Sequence, residues 1–468
     1  MSATRIERDS MGEMPVPSTA LYGAQTARAV ENFPISGEPF PRPFLRALAQ
    51  IKEHAARVNL DLGLLDRERA MAIMEAAEEV VRGDHDAHFP LDIFQTGSGT
   101  STNMNANEVI ARRAGQLLGA AGATTPIHPN DHVNLGQSSN DAIPTALHLA
   151  AAVEIHTQLL PALARMEQTL NEKAAAFDDI IKIGRTHLQD ATPIRLGQVF
   201  SGYARQVTLS RRRLEEALSG LLELPLGGTA VGTGINTHHL FAPKVIAGLA
   251  AVSGLPFREA ENHFEAQAAK DAAVAASGAL KGCAVSLAKI ANDVRWLGSG
   301  PRCGLGELIL PPVQPGSSIM PGKVNPVMAE SLLQVCAQVV GNDAAITVGG
   351  LLGNFELNVM MPLITRNLLQ SIALLTNAVS AFDRRCLHGL DADRQRCAEL
   401  VEQSLAMVTA LAPVIGYDRA AAIAKRAHEH GRTIRELVLE EQLLPPAELD
   451  RLLDPWPMTR PGIAGKGE

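Results

Sequence analysis

Hydrophobic and polar residues follow a helical period over four long stretches of the chain. Between residues 258 and 300 no proline occurs, and apolar or alanine positions recur every three or four residues on almost every face. Similar patterns cover residues 144–177, 196–222 and 327–348, and Pro161 predicts a kink or break in the first of them. Helices that are apolar on most faces are buried, so the pattern favours a bundle of unusually long helices.

The pattern changes on either side of these stretches. The first roughly 135 residues contain shorter segments that glycine and proline interrupt, and short helices with a Pro- and Gly-containing tail are predicted after residue 358. We therefore predict a mainly α protein with three domains. They are an N-terminal domain (1–137), a central long-helix bundle (138–360) and a small helical C-terminal domain (361–468).

Composition and charge narrow the class of protein. The chain has 468 residues with 42 basic and 50 acidic side chains, a net charge of -8 without long single-sign blocks, which argues against nucleic acid or membrane partners. Uncharged apolar stretches such as residues 344–355 fall short of the 18 or more residues that a membrane span needs. Five cysteines without C-x-x-C spacing predict free thiols in a reducing compartment, and hence a cytoplasmic protein.

Four polar, glycine-containing stretches interrupt this apolar background, at residues 96–108, 128–141, 184–190 and 316–326. Taken singly, their Ser, Thr, Asn and Asp residues are typical helix caps and turn formers. Together they supply many neutral donors, one lysine and a histidine beside predicted helix ends, where backbone N–H groups favour anions. The last stretch is not a nucleotide-binding P-loop, because its spacing is wrong and Val324 follows the lysine. The combination favours a small dicarboxylate ligand.

These stretches carry a resemblance to a known family. "GSSIMPGKVNP" resembles the characteristic loop of the fumarase/aspartase superfamily, and the other three stretches match in chain order, so the likeness runs from Arg5 to "IGYDRAAAIAKRAHEHG". His187 in "GRTHLQDATP", Gly322 in "PGKVNP" and His128 in "HPND" are similar to class II fumarases in particular. The resemblance implies a homotetramer with a twenty-helix core and composite active sites. It also implies reversible hydration of fumarate to (S)-malate, a tricarboxylic acid cycle reaction, without a cofactor or metal.

The reaction needs three kinds of group, and the resemblance assigns residues to them. Dehydrating malate removes a proton beside a carboxylate, leaves a carbanion whose charge spreads onto that carboxylate, and expels hydroxide with help from an acid. The resemblance implies that Ser317 is the base and that Lys323 and Asn325 stabilise the charged carboxylate. It implies that His187 acts on the opposite face, directly or through water, and that Glu330 holds this histidine or its water.

Further residues match the substrate donors and a second anion site of the family. The implied substrate-binding residues, besides the lysine and asparagine of the loop, are Ser98, Thr100, Ser138, Ser139, Asn140 and Thr186. His128, Asn130 and Asp131 match the second site, although local turn chemistry explains "HPND" equally well. His128 and His132 lie four apart, but Pro129 spoils a regular turn and no third ligand is evident, so no metal site is predicted.

The sequence departs from the family pattern at two places, and alternatives stay open. Ser101 stands where many fumarases carry glutamine, and "VNLGQ" at residues 133–137 replaces a more polar version. Because the same loop would stabilise the same carbanion whichever group leaves, an ammonia-lyase acting on aspartate is the nearest alternative. A catalytically silent structural relative, such as a lens protein, is the other.

Overall fold

The computed structural model describes residues 3–123 and 125–463 and is mainly helical, as predicted. Its α-helices, in chain order, are α1 (Ala24–Asn32), α2 (Arg42–Asp61), α3 (Arg67–Arg82), α4 (Thr100–Ala120), α5 (Ser139–Glu154), α6 (Leu160–Ala176), α7 (Leu196–Leu221), α8 (Phe241–Ser253), α9 (His263–Ala268), α10 (Asp271–Leu297), α11 (Val327–Leu351), α12 (Met361–Phe382), α13 (Arg394–Gln403), α14 (Ala412–Ile415), α15 (Tyr417–His430), α16 (Ile434–Glu440) and α17 (Pro446–Leu452).

The strands form only two-stranded sheets within the described residues. They are β1 (Thr4–Asp9), β2 (Gly12–Pro17), β3 (Ile181–Thr186), β4 (Gln189–Arg195), β5 (Glu223–Leu224), β6 (Arg258–Glu259), β7 (Leu308–Ile309), β8 (Gly353–Asn354), β9 (Leu357–Asn358) and β10 (Asp391–Ala392). Strands β1/β2, β3/β4, β7/β10 and β8/β9 pair antiparallel, and β5/β6 pair in parallel.

The helical periodicity located the long helices of the middle region. Helix α7 ends within one residue of the prediction, and α11 extends three residues beyond it. The break predicted near Pro161 is a π-helical turn at Ile155–Leu159 that joins α5 to α6. Proline removes one backbone donor, and a wider turn just before it accommodates the loss.

Two predicted features differ from the structure. The uninterrupted stretch at 258–300 is not one helix, because Asn262 caps the short α9 through the backbone N–H groups of Phe264 and Glu265, and α10 begins only at Asp271. The short helices predicted after residue 358 begin instead with α12, which has 22 residues. Its apolar residues recur with a helical period that extends the long-helix pattern beyond the predicted boundary.

By their internal contacts, the described residues within the following ranges form two compact units. The first comprises residues 1–161, 210–284 and 335–377, and the second comprises 162–209, 285–334 and 378–468. In the first, α2 packs against α3, α5 and α8. In the second, an apolar cluster that includes Ile183, Leu411, Ile423 and Val438 lies under the β3–β4 hairpin and the C-terminal helices. The three sequential domains stay a prediction.

Helix α10 is long and strongly apolar. Among the described residues it is the one helix whose length and hydropathy would suffice to cross a membrane. The same helix was predicted from its periodicity as a core helix, and Leu280, Leu287 and Ile290 on it are fully buried in the chain. A core helix of this length meets the same criterion, because burial in protein also selects apolar residues.

Candidate active site

Three hydroxyl side chains from two polar stretches meet in the first unit. The hydroxyl oxygens of Ser98 and Thr100 are 2.7 Å apart, and Thr100 Oγ1 lies 2.7 Å from Ser139 Oγ. We call Ser98, Thr100 and Ser139 the hydroxyl cluster. It forms where α4 and α5 begin, because Gly99 adopts φ 71° and a Cβ there would lie 2.9 Å from Ile143 of α5. Donors predicted from two separate stretches of the sequence therefore lie together in the folded chain.

The other two predicted donors beside α5 have structural partners. Ser138 is the N-cap of this helix and forms a capping box with Asp141, in which each residue bonds the other's backbone. The side-chain amide of Asn140 donates to the carbonyl of Ala230 at 2.9 Å. These bonds show that both residues fix the start of the helix. Their roles in substrate binding stay predictions.

Asp141 is fully buried and orders the segment around it. Its carboxylate accepts hydrogen bonds from the backbone N–H groups of Ser138, Gly227 and Thr229 at 2.9, 3.0 and 2.9 Å. Burial raises the pKa of the Asp141 carboxyl, and these N–H donors oppose the shift. The acid thereby ties the start of α5 to the glycine-rich segment 227–234.

Lys52 is the second buried charge next to these segments. Its ammonium donates to Asn103 Oδ1 at 2.8 Å, Asn134 Oδ1 at 2.9 Å and Gln137 Oε1 at 2.9 Å, and the residue is 0% exposed. Burial lowers the pKa of Lys52 to about 7, with the Asp141 carboxylate opposing the shift. The sequence interpretation missed both residues. The available signal was a lysine on the apolar face of α2, four residues after Leu48 and three before Ala55.

The glycine-rich loop at residues 316–326 lies in the second unit and has no regular secondary structure. Ser317 Oγ accepts hydrogen bonds from the backbone N–H groups of Ile319 at 3.2 Å and Met320 at 2.9 Å. Two N–H donors directed at one oxygen favour negative charge on it. Ser317 is half-buried, whereas the neighbouring Ser318 is exposed.

The base of this loop is closed by its own residues. Gly316 N–H donates to Lys323 O at 2.8 Å, and the side-chain amide of Asn325 donates to Gly316 O at 2.7 Å. A Cβ at Gly316 would lie 2.6 Å from Lys323 O, so only glycine permits this closure. Asn325 therefore has a structural bond in addition to its predicted role. The Lys323 side chain is exposed, and Glu330 is half-buried in the first turn of α11.

His187 lies at the tip of the β3–β4 hairpin, not at the end of a long helix as the sequence interpretation had it. Thr186 pairs with Gln189, so His187 and Leu188 form a two-residue turn with φ 54° and 59°. Such turns match the twist of the strands but cost roughly 1–3 kcal/mol for each non-glycine residue held there. The turn presents Thr186 and His187 at the exposed end of the hairpin.

A buried ion pair anchors this hairpin. Arg185 Nη1 lies 2.7 Å from Glu307 Oε2, and Lys182 Nζ lies 3.4 Å from the same oxygen. Glu307 is 0% exposed, and burial lowers the pKa of Lys182 while Glu307 opposes the shift. Because removing one partner would leave an uncompensated buried charge, the pair holds the residues next to Thr186 in place.

The predicted second anion site forms a compact exposed turn in the first unit. His128 Nδ1 accepts from the backbone N–H groups of Asn130 at 3.3 Å and Asp131 at 3.2 Å, and lies 3.3 Å from the Asp131 carboxylate. Burial lowers the pKa of the adjacent His132. His128 and Asn130 border a cavity of about 660 Å³ that Arg5 also lines. The turn chemistry is therefore present, and the anion site stays a prediction.

The two departures from the family pattern lie beside the hydroxyl cluster. Ser101 Oγ is 2.8 Å from Thr96 Oγ1, so its hydroxyl bonds within the same polar stretch. Leu135 and Gly136 are half-buried, and the carbonyl of Leu135 accepts from Asn59 at 3.1 Å. Among the described residues no group of three or more His, Cys, Asp or Glu side chains is arranged to hold a metal ion.

Comparison with known proteins identifies the family. A lyase family model matches residues 12–341, and a model described as the fumarase C C-terminus matches residues 407–460. The fumarate hydratase class II of Nitrosomonas europaea is 54% identical over 460 residues, covering 98% of this chain and 100% of that protein. The chain belongs to the class II fumarase family.

Other relatives and solved structures agree with this family. Fumarate hydratase class II of Thermosynechococcus vestitus is 55% identical, covering 96% of each chain, and mitochondrial fumarate hydratase 1 of Arabidopsis thaliana is 53% identical, covering 98% of this chain and 93% of the plant protein. The crystal structure of class II fumarase from Schistosoma mansoni superposes with a TM-score of 0.94 at 41% identity, covering 98% and 99% of the two chains. A Brucella melitensis structure described as fumarate lyase:delta crystallin bound to cobalt gives 0.92 at 45%, covering 98% and 100%.

Membership of the class II fumarases confirms the predicted fold class and reaction class. The chain is a lyase of the fumarase/aspartase superfamily, and its helical fold matches the solved class II fumarase over nearly its full length. The roles of the individual site residues stay predictions.

Proposed function

We propose that this fumarase hydrates fumarate reversibly to (S)-malate with Ser317 as the base. The observation that carries the assignment is the pair of backbone N–H groups, from Ile319 and Met320, that donate to Ser317 Oγ. A serine is a weak base at neutral pH unless its oxyanion is stabilised. Donors fixed by the loop backbone provide that stabilisation before substrate arrives.

In the dehydration direction, each step has a group suited to it. The Ser317 oxyanion takes the proton from the carbon beside a carboxylate, and the electron pair spreads onto that carboxylate as an aci-carboxylate. Lys323 and Asn325 stabilise the added charge. The electrons then form the double bond as hydroxide leaves from the neighbouring carbon, with a proton delivered by way of His187. Glu330 orients that histidine or the water it holds.

The hydroxyl cluster supplies neutral donors for the substrate. Either Thr100 or Ser139 can turn its hydroxyl hydrogen toward a carboxylate oxygen while the other donates within the cluster, because hydroxyl hydrogens rotate about the C–O bond. Thr186, Ser138 and Asn140 complete the proposed set. A protein of net charge -8 does not attract an anion over a long range, so binding depends on local donors such as these hydroxyls.

We further infer a homotetramer with composite active sites, located in the cytoplasm. Large apolar side chains on the long helices and next to them are exposed in the single chain, for example Val285 at 58%, Leu351 at 77% and Phe355 at 93%. Exposed apolar area of this kind is typical of surfaces that a further subunit covers. The five cysteines are free, and four of them are buried, which suits a reducing compartment.

One assay tests the reaction. Purified protein is given fumarate, and its ultraviolet absorbance is followed with and without ammonium. We expect loss of fumarate at the same rate in both, because water is the nucleophile that adds. Loss only with ammonium would replace the hydratase by an ammonia-lyase. No loss in either condition would favour the catalytically silent relative.

A further inference from the structure

Lys52 is a buried cation that the proposed chemistry does not use. All three of its acceptors are neutral amide oxygens, from Asn103, Asn134 and Gln137, and three acceptors match the three hydrogens of a protonated ammonium. Burying a charge costs several kcal/mol even after relaxation, and apolar replacements of similar size are often neutral or stabilising. A lysine that served packing alone would therefore be a poor choice at this position.

The three amides connect Lys52 to both segments that form the hydroxyl cluster. Asn103 lies one helical turn after Thr100, and Gln137 is two residues before Ser139. Asn103 also donates to Asn134 at 3.2 Å, and Asn134 donates to the backbone carbonyl of Gln137 at 3.1 Å. One side chain on α2 thus joins the start of α4 to the start of α5.

We propose that Lys52 is a positioning residue for substrate binding. It fixes the starts of α4 and α5 so that the hydroxyls of Thr100 and Ser139 stay 2.7 Å apart, ready to receive a substrate carboxylate. This inference rests on the proposed function, because it takes those hydroxyls as substrate ligands. A fixed cluster of hydroxyls binds more tightly than a mobile one, since less side-chain freedom is lost on binding.

The test is Lys52→Met, which keeps an unbranched side chain only one atom shorter and removes the three donors. The carboxylates are present in the ground state and in the transition state alike, so weaker carboxylate binding raises KM and leaves kcat nearly unchanged. We expect KM for fumarate to rise about tenfold while kcat changes less than about threefold. A purely structural defect would lower the amount of active enzyme and hence the apparent kcat, and KM would not move.

The chain offers a matched control in Lys270. This lysine is 2% exposed and donates to the backbone carbonyls of Ala266, Gln267 and Ala269 at 3.1, 2.8 and 2.8 Å. Burial lowers its pKa to about 7, as for Lys52. Lys270→Met therefore removes a buried ammonium whose three acceptors are backbone carbonyls, and none of them belongs to the segments that form the hydroxyl cluster. We expect KM to stay within about twofold of wild type.

A second variant keeps the inference testable if Lys52→Met does not fold. Gln137→Ala removes one acceptor on the α5 side and should raise KM by about threefold. If both single variants fold, the double variant that carries Lys52→Met and Gln137→Ala should have the same KM as Lys52→Met alone, because the two changes break one network.

Two results would overturn the role of Lys52. One is an unchanged KM in a folded Lys52→Met variant when the wild type is active. If Lys52→Met does not fold, the same result for Gln137→Ala counts instead. The other is a Lys270→Met variant with an equal rise in KM. A wild type that does not hydrate fumarate would instead remove the proposed function.

Discussion

The hydroxyl cluster and the glycine-rich loop present their functional groups in opposite ways. Ser98 is 7% exposed, and the cluster is joined to buried Asp141 and Lys52 through α4 and α5. In the loop, Lys323 is exposed and Ile319 is 84% exposed, and the bonds that close the loop run between its own residues. The hydroxyl cluster, proposed to bind substrate, is thus fixed in the folded chain, whereas the groups proposed for proton abstraction and charge stabilisation lie on an open segment.

The difference suits the two tasks. Binding donors lose least freedom when their positions are set before substrate arrives. Proton abstraction from a carbon acid benefits from exclusion of water, which requires a segment that closes after substrate enters. Gly316 and Gly322 are the candidate hinges for this closure, because glycine has the widest backbone freedom. Gly316 is required for close contact with Lys323, whereas Gly322 has φ 79° and open space around it, which makes Gly322 the better hinge candidate.

The largest expected effect comes from the open segment. Ser317→Ala removes a group that acts mainly in the transition state, so kcat should fall by about 10²–10⁴-fold while binding of malate is nearly kept. Steady-state kinetics and calorimetric titration with malate measure the two quantities. The matched control is Ser318→Ala, which changes the exposed neighbouring hydroxyl and should leave kcat close to wild type. Near-normal turnover of Ser317→Ala would exclude this serine as the base.

The two regions also differ in how far the sequence could predict them. The loop is contiguous, so Ser317, Lys323 and Asn325 could be placed together from one motif. The hydroxyl cluster joins Thr100 and Ser139, which are 39 residues apart in the sequence. Lys52, which supports the cluster from α2, belongs to no motif, because it contacts Asn103 only after the chain folds. His187 was found by its motif but assigned to the wrong element, since a two-residue turn of His and Leu lacks the glycine or asparagine that usually indicates a hairpin.

The loop and the hairpin tip are both exposed in the single chain, which leads to a prediction about assembly. Its expected effect is of intermediate size. If each site takes His187 from one subunit and Ser317 from another, co-expressing inactive His187→Asn with inactive Ser317→Ala rebuilds some complete sites. With random mixing, roughly a quarter of the sites would carry both wild-type residues, so about that fraction of wild-type activity is expected.

The control for this experiment is the pair of parent variants, assayed separately and after mixing without co-expression. Differently tagged chains and two-step purification verify that mixed tetramers are present. Verified mixed tetramers with no activity above that of the parents would contradict composite sites. Each site would then take His187 and Ser317 from the same chain.

The smallest expected effect concerns the buried region and its stability toward acid. His148 on α5 is 6% exposed, and its Nδ1 lies 2.7 Å from the carbonyl oxygen of Glu223. Burial lowers the pKa of His148 to about 4 from an ordinary value of 6.5, with the Glu223 carbonyl opposing the shift. As pH falls through this window, the unfolded chain takes up a proton that the folded chain does not, so stability is lost below pH 6.5.

His148→Gln keeps a neutral donor for the Glu223 carbonyl and removes the titration. Wild type should lose a few degrees more of melting temperature than this variant between pH 6.5 and about 4, and the two curves should run parallel above pH 6.5. Differential scanning fluorimetry across this range measures the difference. Other histidines whose pKa burial lowers, such as His54 and His88, act equally in both proteins and cancel. Parallel curves over the whole range would mean that His148 gains a proton in the folded chain as readily as in the unfolded one, and the middle of α5 would then be less firmly buried than the structure shows.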